Sequence, residues 1–170
     1  AASIARVRLS EQLSAKEVSV TPAVLVIGGG IAGIQAALDI AGAGFKVYLV
    51  ERERTLGGNA MKLDRTFPDM EPASAFLNHR IDELRNSPLA EVFTGSEVAE
   101  VSGYIGNFTV QIKNRFNPDD KNTELAAGAI IVATGYDHFD PRLKPELGYG
   151  TCDNILTGIE LEALVKDASA

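Results

Sequence analysis

Gly28, Gly30 and Gly33 stand in G-x-G-x-x-G spacing directly after Ala23–Ile27, a short apolar run rich in β-branched residues. The chemistry that this spacing serves is phosphate binding. Glycine at 28 permits a tight turn, glycine at 30 removes the Cβ that would hold a pyrophosphate off the backbone, and glycine at 33 lets a helix pack close to the strand. The remaining residues of the turn, Gly29, Ile31 and Ala32, belong to a helix N-terminus, where unpaired N–H groups and the positive dipole end face a phosphate. Glu51 follows 23 residues after Gly28, at the end of Lys46–Val50, where a carboxylate can accept both hydroxyls of an adenosine ribose. The competing reading is a purely structural βαβ turn. Strand, glycines, amphipathic helix, strand and terminal acid in this order favour a dinucleotide site.

The elements that must position these residues are legible around them. Ala23–Ile27 has no room for a polar face and reads as a strand buried on both sides of a parallel sheet. Ile31, Ile34, Leu38 and Ala41 fall on one helical face, and Gly42 and Gly44 supply a stop. Residues 52–59 contain a Gly57-Gly58 pair that packing explains poorly, because adjacent glycines cost backbone entropy on folding. Backbone lying against a ligand explains it well, and Asn59 follows the pair. Residues 60–72 read as an ordered loop, 72–86 as a helix and 91–95 as a third parallel strand. The period then changes to short alternating strands at 97–101, 108–112 and 124–126, an antiparallel meander. Gly128–Thr134 reads as another fully buried strand, closed by Gly135, and 158–166 as a short helix. Residues 1–21 read as a lead-in helix and linker, and residues 22–170 as one Rossmann-like α/β domain.

Composition narrows the classes. With 170 residues, 45% of them hydrophobic, and a mean hydropathy of +0.03, the sequence suits one soluble globular domain. No apolar stretch approaches the length of a membrane span. The formal net charge is −7 and no Lys or Arg run tracks a phosphate backbone, which argues against nucleic-acid binding. One cysteine, Cys152, excludes an internal disulfide and any cysteine-ligated iron–sulfur cluster built by this chain alone. It fits a reducing cytosol. His79, His138 and Cys152 lack companions at metal-ligand or nucleophile spacing, so no metal site and no catalytic side chain is read.

Gly57-Gly58-Asn59 and the strand-ending Ala133-Thr134-Gly135, added to the glycine motif, resemble the FAD-binding domain of glutathione-reductase-like flavoproteins. Longer phrases resemble the A-type subunits of heterodisulfide reductases. They are Gly28–Glu51 with its Gly-Phe-Lys-Val-Tyr-Leu-Val-Glu ending, Leu63-Asp64-Arg65-Thr66-Phe67-Pro68, Glu97–Phe108, and Ala133-Thr134-Gly135-Tyr136-Asp137. The resemblance spans roughly 22–164. Flavoproteins of quinone-interacting oxidoreductase complexes look similar, slightly less so. The resemblance implies a cytosolic FAD protein that passes electrons between iron–sulfur subunits or domains. It implies that Gly57 and Gly58 run along the adenosine and pyrophosphate, and that the backbone of the strand holding Val98 reads the adenine. It further implies that Ala133, Thr134 and Gly135 close over the cofactor; Arg52 could stack on or neutralise it.

Three departures accompany the resemblance. Pro72 and Ala75 occupy places where family members usually carry a Cys-x-x-Cys. The chain runs straight through 115–124, where many members insert a ferredoxin-like cluster domain. The family's later FAD-contacting segment and second nucleotide-type domain would lie beyond residue 170, so the sequence reads as an N-terminal portion of a longer flavoprotein or as a compact relative, and not as a complete enzyme. An exposed sheet edge left by that missing part would favour oligomerisation. The alternatives are an NAD(P)-binding module of a reductase and a non-catalytic scaffold with a dinucleotide fold. Glu51 opposes a 2′-phosphate by charge.

Overall fold

The computed structural model describes residues 17–117, 119 and 121–168. Residues 1–16, which hold nearly all of the lead-in helix expected over 3–17, lie outside that set. Four parallel strands form the central sheet: β1 (Ala23–Ile27), β2 (Lys46–Val50), β5 (Ala90–Phe93) and β9 (Ala129–Val132), in the order β5-β2-β1-β9. Between β1 and β2 runs α1 (Ile31–Gly42), and between β2 and β5 run a 3₁₀ turn (Gly58–Lys62), a two-residue pair β3 (Arg65–Thr66) and β4 (Glu71–Pro72), and α2 (Ala73–Asn86). The segment 60–72, expected to be an ordered loop, thus contains a short antiparallel pair. An antiparallel meander, β6 (Ser96–Tyr104), β7 (Asn107–Asn114) and β8 (Thr123–Ala127), connects β5 to β9, and α3 (Gly158–Ala168) closes the described chain.

Alternation along β1 and β2 explains why β1 is apolar throughout and β2 is so beyond Lys46 and Tyr48. Val26, Val47 and Leu49 point to one face and join Ile34, Ala37, Leu56, Ile81 and Leu84 under the helices. Leu25 and Val50 point to the other face and join Val110, Ile112, Leu125 and Ala127 of the meander. A side-chain period of two places one sheet between two cores. In α1 the buried stripe is Gly33, Ile34 and Ala37, with Ile31 left exposed at the helix start.

β9 departs from the expected burial: Ile131 is 37% and Val132 70% exposed. It is the last strand of the sheet, paired with β1 alone, so nothing among the described residues covers its outer side. A parallel strand reads as fully buried only if it has neighbours on both edges and faces.

Thr157 and Glu160 form a reciprocal cap at the start of α3. The Glu160 carboxylate accepts from the Thr157 N–H at 2.7 Å, and the Thr157 hydroxyl accepts from the Glu160 N–H at 3.3 Å. The T-x-x-E spacing carries this signal in the sequence. The Tyr149 hydroxyl donates to the same carboxylate at 2.6 Å, which holds the Glu160 carboxyl below its ordinary 4.5 and pushes the Tyr149 phenol above its ordinary 10.0. The Asp64 N–H donates to Glu162 and the Lys166 ammonium to the Met61 carbonyl, tying α3 to the 3₁₀ turn.

Leu84 is fully buried between α2 and the sheet. Leu84→Ala should cost about 2–5 kcal/mol in urea denaturation. The Tyr149–Glu160 contact should stabilise α3 docking only within a pH window. Glu160's contribution is complete above about 4.5 and lost as pH falls through its depressed value. Tyr149's is complete below about 10 and lost as pH rises through its elevated value. Amide exchange along α3 should rise on both flanks, and Tyr149→Phe should abolish the alkaline flank.

Candidate dinucleotide site

All four parallel strands end at one edge of the sheet, where Ile27 pairs with Val50 and Val132, and Val50 with Phe93. The residues that follow β1, β2 and β9 therefore converge. These are Gly28–Gly33, Glu51–Asn59 and Ala133–Gly135. The chain order reverses at β1, whose neighbours β2 and β9 lead away in opposite directions, and ligands of open α/β sheets bind at such a switch point.

The motif glycines divide by what surrounds them. Gly28 has φ +111°, and a Cβ there would overlap the Ala133 carbonyl. A Cβ on Gly33 would overlap the Gly28 carbonyl oxygen. Both are demanded by the protein's own packing. Gly30 is different: its φ is −73°, ordinary for any residue, and a Cβ there would meet nothing within 4 Å. Gly30 is also the N-cap of α1, with no side chain capping the helix and no acidic residue in its first turn. The first intrahelical bond runs from the Ile34 N–H to the Gly30 carbonyl, so the amides of Ile31, Ala32 and Gly33 precede the helical ladder.

Gly57-Gly58 lies alongside. The Gly57 N–H donates to the Gly29 carbonyl at 2.8 Å, Gly30 and Gly57 form a parallel bridge, and a Cβ on Gly58 would stand 3.1 Å from Gly30 Cα. The structure thus brings together the two glycine segments that the sequence places 27 residues apart. Gly57 at φ +110° and Gly58 at φ +54° both occupy the left-handed region, which is the local reason for the pair.

Glu51 is buried, 8% exposed. Its Oε2 accepts from the Gly29 N–H at 2.6 Å and its Oε1 from the Glu53 N–H at 2.7 Å. Gly29 is buried with both its N–H and C=O engaged inside the protein. Arg52 and Asn59 reach toward the segment after β9. An Arg52 guanidinium nitrogen stands 3.8 Å from Asp137 Oδ1, and the Asn59 amide donates to the Tyr136 carbonyl at 3.1 Å. Sequence reasoning misses these contacts, because Tyr136 and Asp137 carry no spacing signal of their own. It also misses Leu56, 3% exposed, which packs beneath Gly29. Val98 lies on β6 opposite Ile112 beside a bulge, and the start of β6 is stitched to Glu51 through the Ser96 N–H.

His79 and His138 are exposed, and His138 makes an edge contact with the Tyr136 ring. Cys152 is exposed. Among the described residues no three His, Cys, Asp or Glu side chains gather as metal ligands, and no helix is long and apolar enough to cross a membrane.

Gly28→Ala and Gly33→Ala should each lower the melting temperature by at least several degrees, whereas Gly30→Ala should leave it within about 2 °C of wild type, measured by circular dichroism.

Residues 22–161 match the family described as pyridine nucleotide-disulphide oxidoreductase. The chain is 33% identical to an iron-sulfur A-type subunit of the CoB–CoM heterodisulfide reductase of Methanopyrus kandleri, over 98% of this chain and 36% of that protein. It is 51% identical over 115 residues to a protein of Archaeoglobus profundus that is named for its likeness to the same A-type subunit of heterodisulfide reductase, covering 68% of this chain and 16% of that protein. The chain thus spans about a third, 36%, of the length of the Methanopyrus protein. That alignment runs over 241 positions, 71 more than this chain possesses, so the relative carries internal polypeptide with no counterpart here. Among solved structures, the L-proline dehydrogenase from P. horikoshii shares the fold, with a TM-score of 0.58 at 24% identity over 73% of this chain and 25% of that one. The chain belongs to the pyridine nucleotide-disulphide oxidoreductases, an FAD-binding family, and is a homologue of the heterodisulfide reductase A-type subunits.

Proposed function

We propose that this chain holds the ADP half of FAD in an electron-transferring oxidoreductase of the heterodisulfide reductase A type. The observation that carries the reading is Gly30. No atom of the protein requires a glycine there, while the open space at its missing Cβ faces the start of an uncapped helix. A pyrophosphate fits that space, with the amides of Ile31, Ala32 and Gly33 as donors and the helix dipole favouring its charge. Gly57 and Gly58 form the opposite wall, and Ala133-Thr134-Gly135 crosses over Gly28.

The remaining roles follow the chain away from the phosphates. Glu51 keeps unused lone pairs on both oxygens and can accept ribose hydroxyls. The backbone near Val98 serves the adenine, and Arg52 and Asn59 border the mouth. The flavin, when bound, supplies the electron-transfer chemistry; this chain binds and orients it. With one cysteine, the chain cannot itself ligate a cysteine-bound iron–sulfur cluster. The name of the Methanopyrus relative, an iron-sulfur subunit, supports iron–sulfur subunits or domains as its redox partners. A reducing compartment, the cytoplasm, suits the unpaired Cys152.

The test is the visible spectrum of the purified protein before and after denaturation. A flavin band released on denaturation, identified as FAD and restored by adding FAD, is the expected result. Gly30→Val, folded by circular dichroism, should bind FAD at least about tenfold more weakly, since a side chain would fill the phosphate space. A colourless protein that FAD does not reconstitute, or one that binds NADPH tightly without flavin, would refute the proposal.

A further inference from the structure

We propose that Glu51 is a positioning residue for the phosphate-binding turns, a role separate from contact with ribose and resting on the dinucleotide reading above. Its two carboxylate oxygens hold two different loops. Oε2 takes the Gly29 N–H of the turn after β1, and Oε1 takes the Glu53 N–H of the turn after β2, at 2.6 and 2.7 Å. Both bonds are made wholly within the protein. Charge-assisted bonds of this length are among the stronger ones available to a protein.

The grip extends beyond its first partner. Gly29, held at its N–H by Glu51, uses its carbonyl to accept the Gly57 N–H, and the next residue bridges to Gly57. One side chain therefore sets the separation of the two glycine segments that flank the open space at Gly30. The room is tight: a Cβ on Gly29 would stand 2.9 Å from Glu51 Cβ and 2.5 Å from Leu56 Cδ2. A carboxylate suits the position because it is acceptor-only. The amide of a glutamine, similar in shape, would set an NH₂ group against one of the two backbone donors. The consequence is that Glu51 supports phosphate binding even for a ligand with no ribose hydroxyls.

The test has two arms. In the ligand-free protein, amide exchange followed by NMR should show Gly29, Glu53 and Gly57 protected. In Glu51→Gln the exchange of all three should quicken by about tenfold or more, with the Leu84 amide in α2 unchanged as the control for folding. Affinities are then compared for FAD and for an FAD analogue lacking the adenosine ribose hydroxyls. Glu51→Gln should weaken both ligands by about tenfold.

An analogue that binds wild type and Glu51→Gln equally, or a Gly57 amide indifferent to the substitution, would overturn the proposal. Unprotected Gly29 and Glu53 amides in the wild type would overturn it with no variant needed. If neither protein binds FAD, the cofactor reading fails while the exchange arm still decides the role of Glu51.

Discussion

Where β1 ends, the Gly28 carbonyl, the backbone of Ala133 and the first turn of α1 lie closer together than any Cβ would permit. That approach fixes the rest. It sets the angle at which α1 leaves the sheet and so lays Ile34 and Ala37 onto Val26 and Leu49. It brings the backbone of Ala133 and Thr134, after β9, against Gly28. It also leaves the amides of Ile31, Ala32 and Gly33 ahead of the first intrahelical bond of α1. The glycines here are of two kinds: Gly28 and Gly33 serve the interior packing, while Gly30 faces open space.

The sheet that supports this arrangement is covered unevenly. Its helical face and its meander face each have a closed core, joined through the alternation of Leu25 with Val26 and Leu49 with Val50. Its β9 edge does not. Among the described residues, ten of the large hydrophobic side chains that remain exposed fall between Ile131 and Val165, on β9, the segment after it and α3.

Much of the candidate site is legible from residues 23–59 because each signal there is local. An apolar run, glycines at fixed offsets and an acid at a strand end all belong to one supersecondary unit. Helix and meander are equally readable from their periods. The burial of β9 is not, because its composition matches that of β1 and only sheet order reveals it as an edge. The partners of Glu51, Arg52 and Asn59 are hidden from the sequence too. Each is a contact between segments distant in the chain, and nothing in residue type announces that the Glu51 carboxylate meets Gly29 or that the Asn59 amide meets Tyr136. Contacts of this kind are set by the fold after it forms.

The position of the meander has a consequence for how such chains lengthen. β5 and β9 occupy opposite edges of the parallel sheet, and the three antiparallel strands carry the chain from one to the other. β7 and β8 are joined through residues 115–122, whose described members are exposed, while Ile112 and Thr123 stay paired behind them. Extra polypeptide spliced into that connection would keep both ends anchored by an existing ladder, and loop closure grows by only about 0.6 kcal/mol for each doubling of length. The fold can therefore host an entire additional module at the tip of a hairpin while the cradle at β1 keeps its shape, a modularity built into strand order.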